Sequence, residues 1–210
     1  MKAKPIVMAL ASLLMATSCS GQSKPKETET KAKQETMEKK GKALVVFFSH
    51  AGENYNVGNI EVGNTKIVAD YISEITGAEQ FEIVCQKDYD MPYDKLIEVA
   101  KAEADNGELP GYKGDVKNLG DYDTVFIGGP IWWGTFPQVM FTFFRDHDLN
   151  GKTLIPFTTH EGSGPGSTVE DVKQAYPQAT VTGQFSMYGH DVRKGKAKVE
   201  KWLKGLGYEF

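Results

Sequence analysis

The chain has 210 residues, with 24 Lys plus Arg against 28 Asp plus Glu, 40% hydrophobic residues and two Cys. That length suits one domain with a tail, and two Cys can neither staple a disulfide scaffold nor build a paired C-x-x-C zinc site. A formal net charge of −4 lacks the basic footprint that nucleic-acid binding needs. It is also a cancellation: residues 1–42 carry nine Lys and four Glu, or +5, and residues 43–210 carry 15 basic and 24 acidic groups, or −9.

Residues 1–18 read as a secretory leader. Lys2 and Lys4 precede an apolar run from Ile6 to Met15, which is too short to span a ~30 Å hydrocarbon core. Ala16-Thr17-Ser18 then stand before Cys19, a pattern that resembles a bacterial lipobox, in which the Cys is lipidated and becomes the mature N-terminus. Ala16 departs from the Leu or Val more usual there, and a general signal peptide with an incidental Cys is the alternative. After Cys19, residues 20–42 have one Ala and one Met as their apolar side chains. Such a segment cannot offset its ordering entropy, so residues 19–42 are expected to form a solvated tether reaching roughly 25 Å. The expected location is outside the cytoplasm of a bacterium, anchored to a membrane by lipid.

The folded part is expected over 43–210, where strand and helix patterns alternate. Ala43–Phe48 is uninterruptedly apolar, and Ile67, Val68, Tyr71, Ile72 and Ile75 recur at helical spacing. Gln80–Val84 alternates, and Tyr93–Asp105 reads as a helix. Thr124–Gly129 is apolar, and Pro137–Asp146 reads as a helix opened by its Pro. Thr153–Thr158 is the fourth strand candidate, Ser167–Glu170 a capping box, Ala179–Met187 an alternating fifth strand, and Val192–Leu206 a last helix before Gly207.

Five strands alternating with five helices predict an α/β fold, a parallel sheet covered on both faces. Candidates one, three and four are apolar throughout, as strands buried on both faces should be, and two and five alternate like edges. The doubly wound order 2-1-3-4-5 satisfies this and places a ligand beyond the carboxyl ends of the strands, near the switch between strands one and three.

Three loops then matter. Ser49–Asn64 ends in Gly58-x-x-x-x-Gly63-Asn64-Thr65, near a P-loop but with Asn64 where its Lys belongs. What remains is a helix N-terminus with hydroxyl and amide donors, suited to one phosphate monoester; a plain N-cap is the bland reading. Gly128–Pro137 carries adjacent Trp132 and Trp133 between Gly and Pro. Neighbouring side chains diverge, so one can pack inward and the other face a flat ring. Thr159–Gly166 holds three Gly within five residues, allowing close backbone approach to a heterocycle. It is neither a dinucleotide fingerprint, a nucleophile elbow nor H-E-x-x-H.

With strand ALVVFFS, the Gly-Asn-Thr helix start, the loop Gly-Pro-Ile-Trp-Trp-Gly-Thr-Phe-Pro and the Gly-rich fourth loop, residues 43–210 resemble flavodoxins and flavodoxin-like quinone reductases. The resemblance implies FMN as cofactor, its phosphate on Ser49, His50, Gly63, Asn64 and Thr65. Its ring would meet Pro130, Ile131, Trp132, Trp133 and Gly134 on one loop and Thr159, His160, Glu161, Gly162 and Gly164 on the other. An uninterrupted fifth strand would make it the short-chain form. The chain departs from the pattern by 13 residues between Ser49 and Gly63; Asn54-Tyr55-Asn56 in that insertion is expected as a surface excursion rather than a cover for the cofactor.

The expected function is electron transfer by a monomer whose partners are redox proteins or a small quinone-like acceptor, with no metal. A quinone or NAD(P)H oxidoreductase on the same fold is the alternative, disfavoured by the lack of pyridine nucleotide outside the cell, and a cofactor-free binding module is the third reading. Tryptophan stacking and an acidic surface would disfavour the electron-rich reduced flavin and lower its potential.

Overall fold

The computed structural model describes residues 41–210; the leader, Cys19 and the tether up to residue 40 lie outside the described residues. Lys42, assigned above to the tether, is already part of the fold, since its carbonyl accepts the Asp123 N–H at 3.0 Å.

The apolar run becomes β1 (Ala43–Phe47), every residue of it buried. The following elements are β2 (Gly52–Asn54), β3 (Gly58–Ile60), α1 (Asn64–Thr76), β4 (Glu79–Glu82), β5 (Val84–Cys85), α2 (Tyr93–Asn106) and β6 (Tyr112–Lys113). Then come β7 (Thr124–Pro130), α3 (Gln138–Asp146), β8 (Thr153–His160), α4 (Thr168–Ala175), β9 (Thr180–Val181), β10 (Phe185–Tyr188) and α5 (Lys196–Gly205).

The central sheet has the order β10-β8-β7-β1-β4, with β9 also on β8, and every one of these pairings is parallel. With β9 and β10 as two halves of one edge strand, this is the doubly wound order expected from the strand textures. Alternation sorts each buried strand between two layers. Leu44, Val46, Val125, Ile127 and Leu154 face Leu96 of α2, Met140 and Phe143 of α3 and Val172 of α4. Val45, Phe47, Phe126, Ile155 and Phe157 face Val68 and Ile72 of α1 and Val199 and Leu203 of α5. Each such side chain contributes about 1.5–3 kcal/mol on burial, so packing rather than helix propensity holds these short helices.

Three local expectations are corrected. The fifth strand is interrupted at Thr182–Gln184, where Gly183 takes φ +66° and its carbonyl turns to accept Trp202 Nε1 at 2.6 Å. The second strand ends at Glu82 rather than Val84: the Ile83 N–H still reaches Phe47 O at 2.7 Å, but Val84 and Cys85 pair antiparallel with β6. Ser167 does not form the capping box. Its hydroxyl donates to Asp171 Oδ2 at 2.9 Å, and its N–H reaches Gly134 O at 2.9 Å, tying the end of the Thr159–Gly166 loop to the Gly128–Pro137 loop.

Candidate functional site

The carboxyl ends of β1, β7 and β8 open at the same edge of the sheet, beside the switch between β1 and β7. From β1, Ser49 and His50 lead out of the core. α1 starts after Gly63, which supplies no side-chain cap; Ser49 Oγ takes that part, accepting the Lys66 N–H at 3.0 Å. The first-turn N–H groups of Asn64 and Thr65 have no intrahelical acceptor and lie at the positive end of the helix dipole. Thr65 Oγ1 lies 2.8 Å from Thr159 Oγ1 in a buried pair that joins α1 to the end of β8. Asn64 Oδ1 is buried with no hydrogen-bond partner, and a half-turn of that amide would present its NH2 instead.

The insertion between Ser49 and Gly63 is not the expected surface excursion. It folds into the β2–β3 hairpin, whose Asn54 and Tyr55 line the cleft. Two latches hold it there. Glu53 Oε2 accepts the Tyr93 N–H at 2.9 Å, capping α2 in place of Pro92, which offers no side-chain cap. Asn56 Nδ2 donates to Glu161 Oε2 at 2.9 Å. His50 is buried under the hairpin, with Nε2 3.1 Å from Tyr89 O.

β7 runs on through Pro130, and Trp132 and Thr135 exchange backbone hydrogen bonds around a tight turn. Trp133 at φ +51° and Gly134 at φ +87° fill its two central positions, the left-handed pair of a type I′ turn. The two Trp diverge as the sequence suggests. Trp132 is packed edge-on against Tyr89 at 5.2 Å, Phe48 at 5.5 Å and His50 at 5.9 Å, with part of its ring on the cleft. Trp133 is 55% exposed and turns away, its Nε1 donating to Ile97 O of α2 at 3.0 Å.

Thr159 and His160 belong to β8 rather than to a loop. Glu161 accepts from the His190 N–H at 2.8 Å and lies 2.7 Å from His190 Nδ1. Burial pushes the Glu161 carboxyl up, but hydrogen bonds from His190 and Asn56 outweigh it and hold the group below its ordinary value. Burial also holds the His160 imidazole below its usual range, against the pull of Glu161. Its Nδ1 accepts the Gly162 N–H at 3.0 Å.

The resulting cleft, of about 230 Å³, is lined by His50, Asn64, Thr65, Pro130, Ile131, Trp132, Thr159, His160 and Glu161, all singled out in the sequence. Ser49 and Gly63 stand behind its wall. A Cβ on Gly63 would collide with Ser49 Oγ and sit 2.6 Å from His50 O, so only glycine fits. Trp133 and Gly134 face outward, and Gly162 and Gly164 do not line the cleft. Sequence reasoning missed Asn54, Tyr55, Tyr93, Leu96, Ser163 and Gly189. Gly189 follows the fifth strand, and the rule that ligands sit at strand carboxyl ends points to that segment as much as to the other three. A Cβ there would collide with Asn64 Nδ2 and lie 2.7 Å from Glu161 Oε1.

A sequence model of the flavodoxin family matches residues 42–206. The chain belongs to the flavodoxin family. Among solved structures, a protein from Bacteroides uniformis assigned as a flavoprotein is 27% identical, with a TM-score of 0.64, over 79% of this chain and 99% of that one. A counterpart from Bacteroides eggerthii is 26% identical, with a TM-score of 0.63, over 80% and 99%. A flavoprotein from Lactobacillus acidophilus, solved in complex with FMN, shares the fold at 21% identity and a TM-score of 0.54, over 78% and 99%. No curated protein matches the chain.

Proposed function

We propose that this chain is an FMN-binding electron-transfer protein, held outside the cytoplasm by a lipid on Cys19. The observation that carries the cofactor reading is the convergence of the β1, β7 and β8 ends on one cleft that has a helix N-terminus in its wall and an aromatic ring on its surface. Bound FMN supplies one- and two-electron chemistry.

The protein's own residues fit the group. The Asn64 and Thr65 N–H groups, with an Asn64 side chain whose buried Oδ1 has no partner and whose NH2 a half-turn would present, make an anion site suited to a phosphate monoester. Pro130, Ile131 and Trp132 on one side and Thr159, His160 and Glu161 on the other form walls for a planar ring. Burial disfavours the charged form of His160 there. The β2–β3 hairpin adds Asn54 and Tyr55 to the walls of the cleft. The family match over residues 42–206 supports the same reading.

A carrier role follows from the proposed location, where no pyridine nucleotide is at hand and electrons arrive from a redox protein or leave to a quinone-like acceptor. The test is steady-state turnover with NADPH and a quinone on FMN-loaded protein. The carrier reading expects slow turnover; rates like those of dedicated reductases would replace it with the oxidoreductase reading.

A further inference from the structure

The charge of the fold is unevenly placed. Residues 193–204 hold six of the 15 basic groups of residues 43–210, with Glu200 as the one carboxylate among them; the rest of that stretch carries nine basic against 23 acidic groups. The six lie on α5 and on the short helical turn Gly189–Lys194 that leads into it. Val199 and Leu203 turn one side of α5 into the core. Ala197, Lys201 and Lys204, at four- and three-residue spacing, share the opposite side and are exposed. Lys196 and Lys198 stand at its margins, paired with Glu74 at 2.5 Å and with Asp191 at 3.0 Å. Arg193, Lys194, Lys201 and Lys204 are exposed and, among the described residues, pair with no carboxylate. Beside them Phe210 is 53% exposed, its ring centre 4.9 Å from Lys204 Nζ.

This face also lies where the chain enters the fold. Beyond α5, Tyr208 packs on Phe126 of β7 at 5.9 Å, and the Thr124 N–H that opens the same strand reaches Lys42 O at 3.4 Å. The lipid proposed on Cys19 would hold Lys42 within a reach of roughly 25 Å, so the end of α5 is kept near the bilayer. The loops at this end of the sheet carry Asp121, Asp123 and Asp148, which anionic headgroups repel; the flank of α5 is the neighbouring surface that they attract. The cleft is at the other end, beyond the carboxyl ends of the strands, and stays open to partners.

We propose that the outer face of α5, with Phe210 at its edge, docks on an anionic lipid surface and sets the orientation of the tethered domain. Basic side chains beside an exposed aromatic ring are the pattern of an interfacial helix, and each Lys or Arg near an anionic bilayer raises affinity about fivefold. The inference rests on the anchoring reading above.

Sedimentation with vesicles tests it. The FMN-loaded full chain carrying Cys19→Ser is compared with the same chain carrying Lys194→Gln, Lys201→Gln and Lys204→Gln as well. Residues 1–42 differ in neither, so the comparison isolates α5. The expected result on vesicles of phosphatidylglycerol and phosphatidylcholine in equal parts is at least a tenfold loss of affinity in the triple variant. Affinity for vesicles of phosphatidylcholine alone should stay within twofold, as should FMN content, and high salt should erase the difference between the two chains. Equal affinity of both chains for anionic vesicles would overturn the inference, as would an equal loss on neutral ones. If neither chain prefers anionic to neutral vesicles, the face belongs to an acidic protein and the inference falls. Mass spectrometry of the chain with Cys19 intact reads the anchor separately: no lipid there overturns the anchoring reading, and this inference with it, whatever the vesicles show.

Discussion

Thr65 Oγ1 and Thr159 Oγ1 share a hydrogen bond of 2.8 Å at full burial, so the first turn of α1 and the end of strand β8 are fixed to each other beneath the cleft. Replacing either Thr by Val leaves the other hydroxyl buried and unpaired, a loss of about 1–3 kcal/mol. The double Val variant should recover part of that, because no orphaned hydroxyl remains. Urea unfolding of the two singles and the double measures the coupling, and strict additivity would show that the pair does not act as one unit.

The cleft should be acid-sensitive. Glu161 and His160 both have folded-state values below their ordinary 4.5 and 6.5. A depressed value contributes stability that is complete above the unfolded value and lost as pH falls through the folded one. Stability should therefore decline from about pH 6.5 downward through His160, and again below about pH 4.5 through Glu161. Glu161→Gln should flatten the lower limb and, by removing the pull that Glu161 exerts on His160, extend the upper one to lower pH. Chemical denaturation at pH 3–8 reads both.

Two adjacent tryptophans should respond unequally. Trp132→Ala removes a ring packed against Tyr89, Phe48 and His50 and should cost about 3 kcal/mol. Trp133→Gly gives up an exposed indole but relieves a left-handed backbone, worth roughly 1–2 kcal/mol, so its net effect should be under about 1 kcal/mol. Thermal unfolding compares them, and equal losses would contradict the division of labour described for this turn.

That division was legible in the sequence because neighbouring side chains must diverge, and so was the doubly wound order, because β1, β7 and β8 are apolar along their lengths. The hairpin was not. Gly52–Asn54 and Gly58–Ile60 are three residues each, with no apolar alternation to mark them as strands. They are held by long-range bonds from Glu53 to Tyr93 and from Asn56 to Glu161, partners 40 and 105 residues away that no local pattern reveals. The Ser167 capping box failed for a related reason, since Gly134 O and Asp171 compete for that serine.

The hairpin latch gives a further expectation. Asn56 already sits at φ +63°, so Asn56→Gly keeps the backbone and removes the side-chain bond to Glu161 together with the longer contact to His190 Nδ1. One such bond is worth about 0.5–1.5 kcal/mol, and more to a charged group. FMN should dissociate several-fold faster from this variant, with the flavin spectrum of the bound form unchanged. Stopped-flow release of FMN checks this.

The cofactor assignment itself is met most directly by titrating apo full-length protein with FMN, following flavin fluorescence, beside the Gly63→Ala and Gly189→Ala variants. The account predicts stoichiometric quenching for the unaltered chain and at least a tenfold loss of affinity in each variant, whose new methyl groups would collide with Ser49 and with Asn64. Purified protein that is colourless and leaves FMN fluorescence unquenched would contradict it.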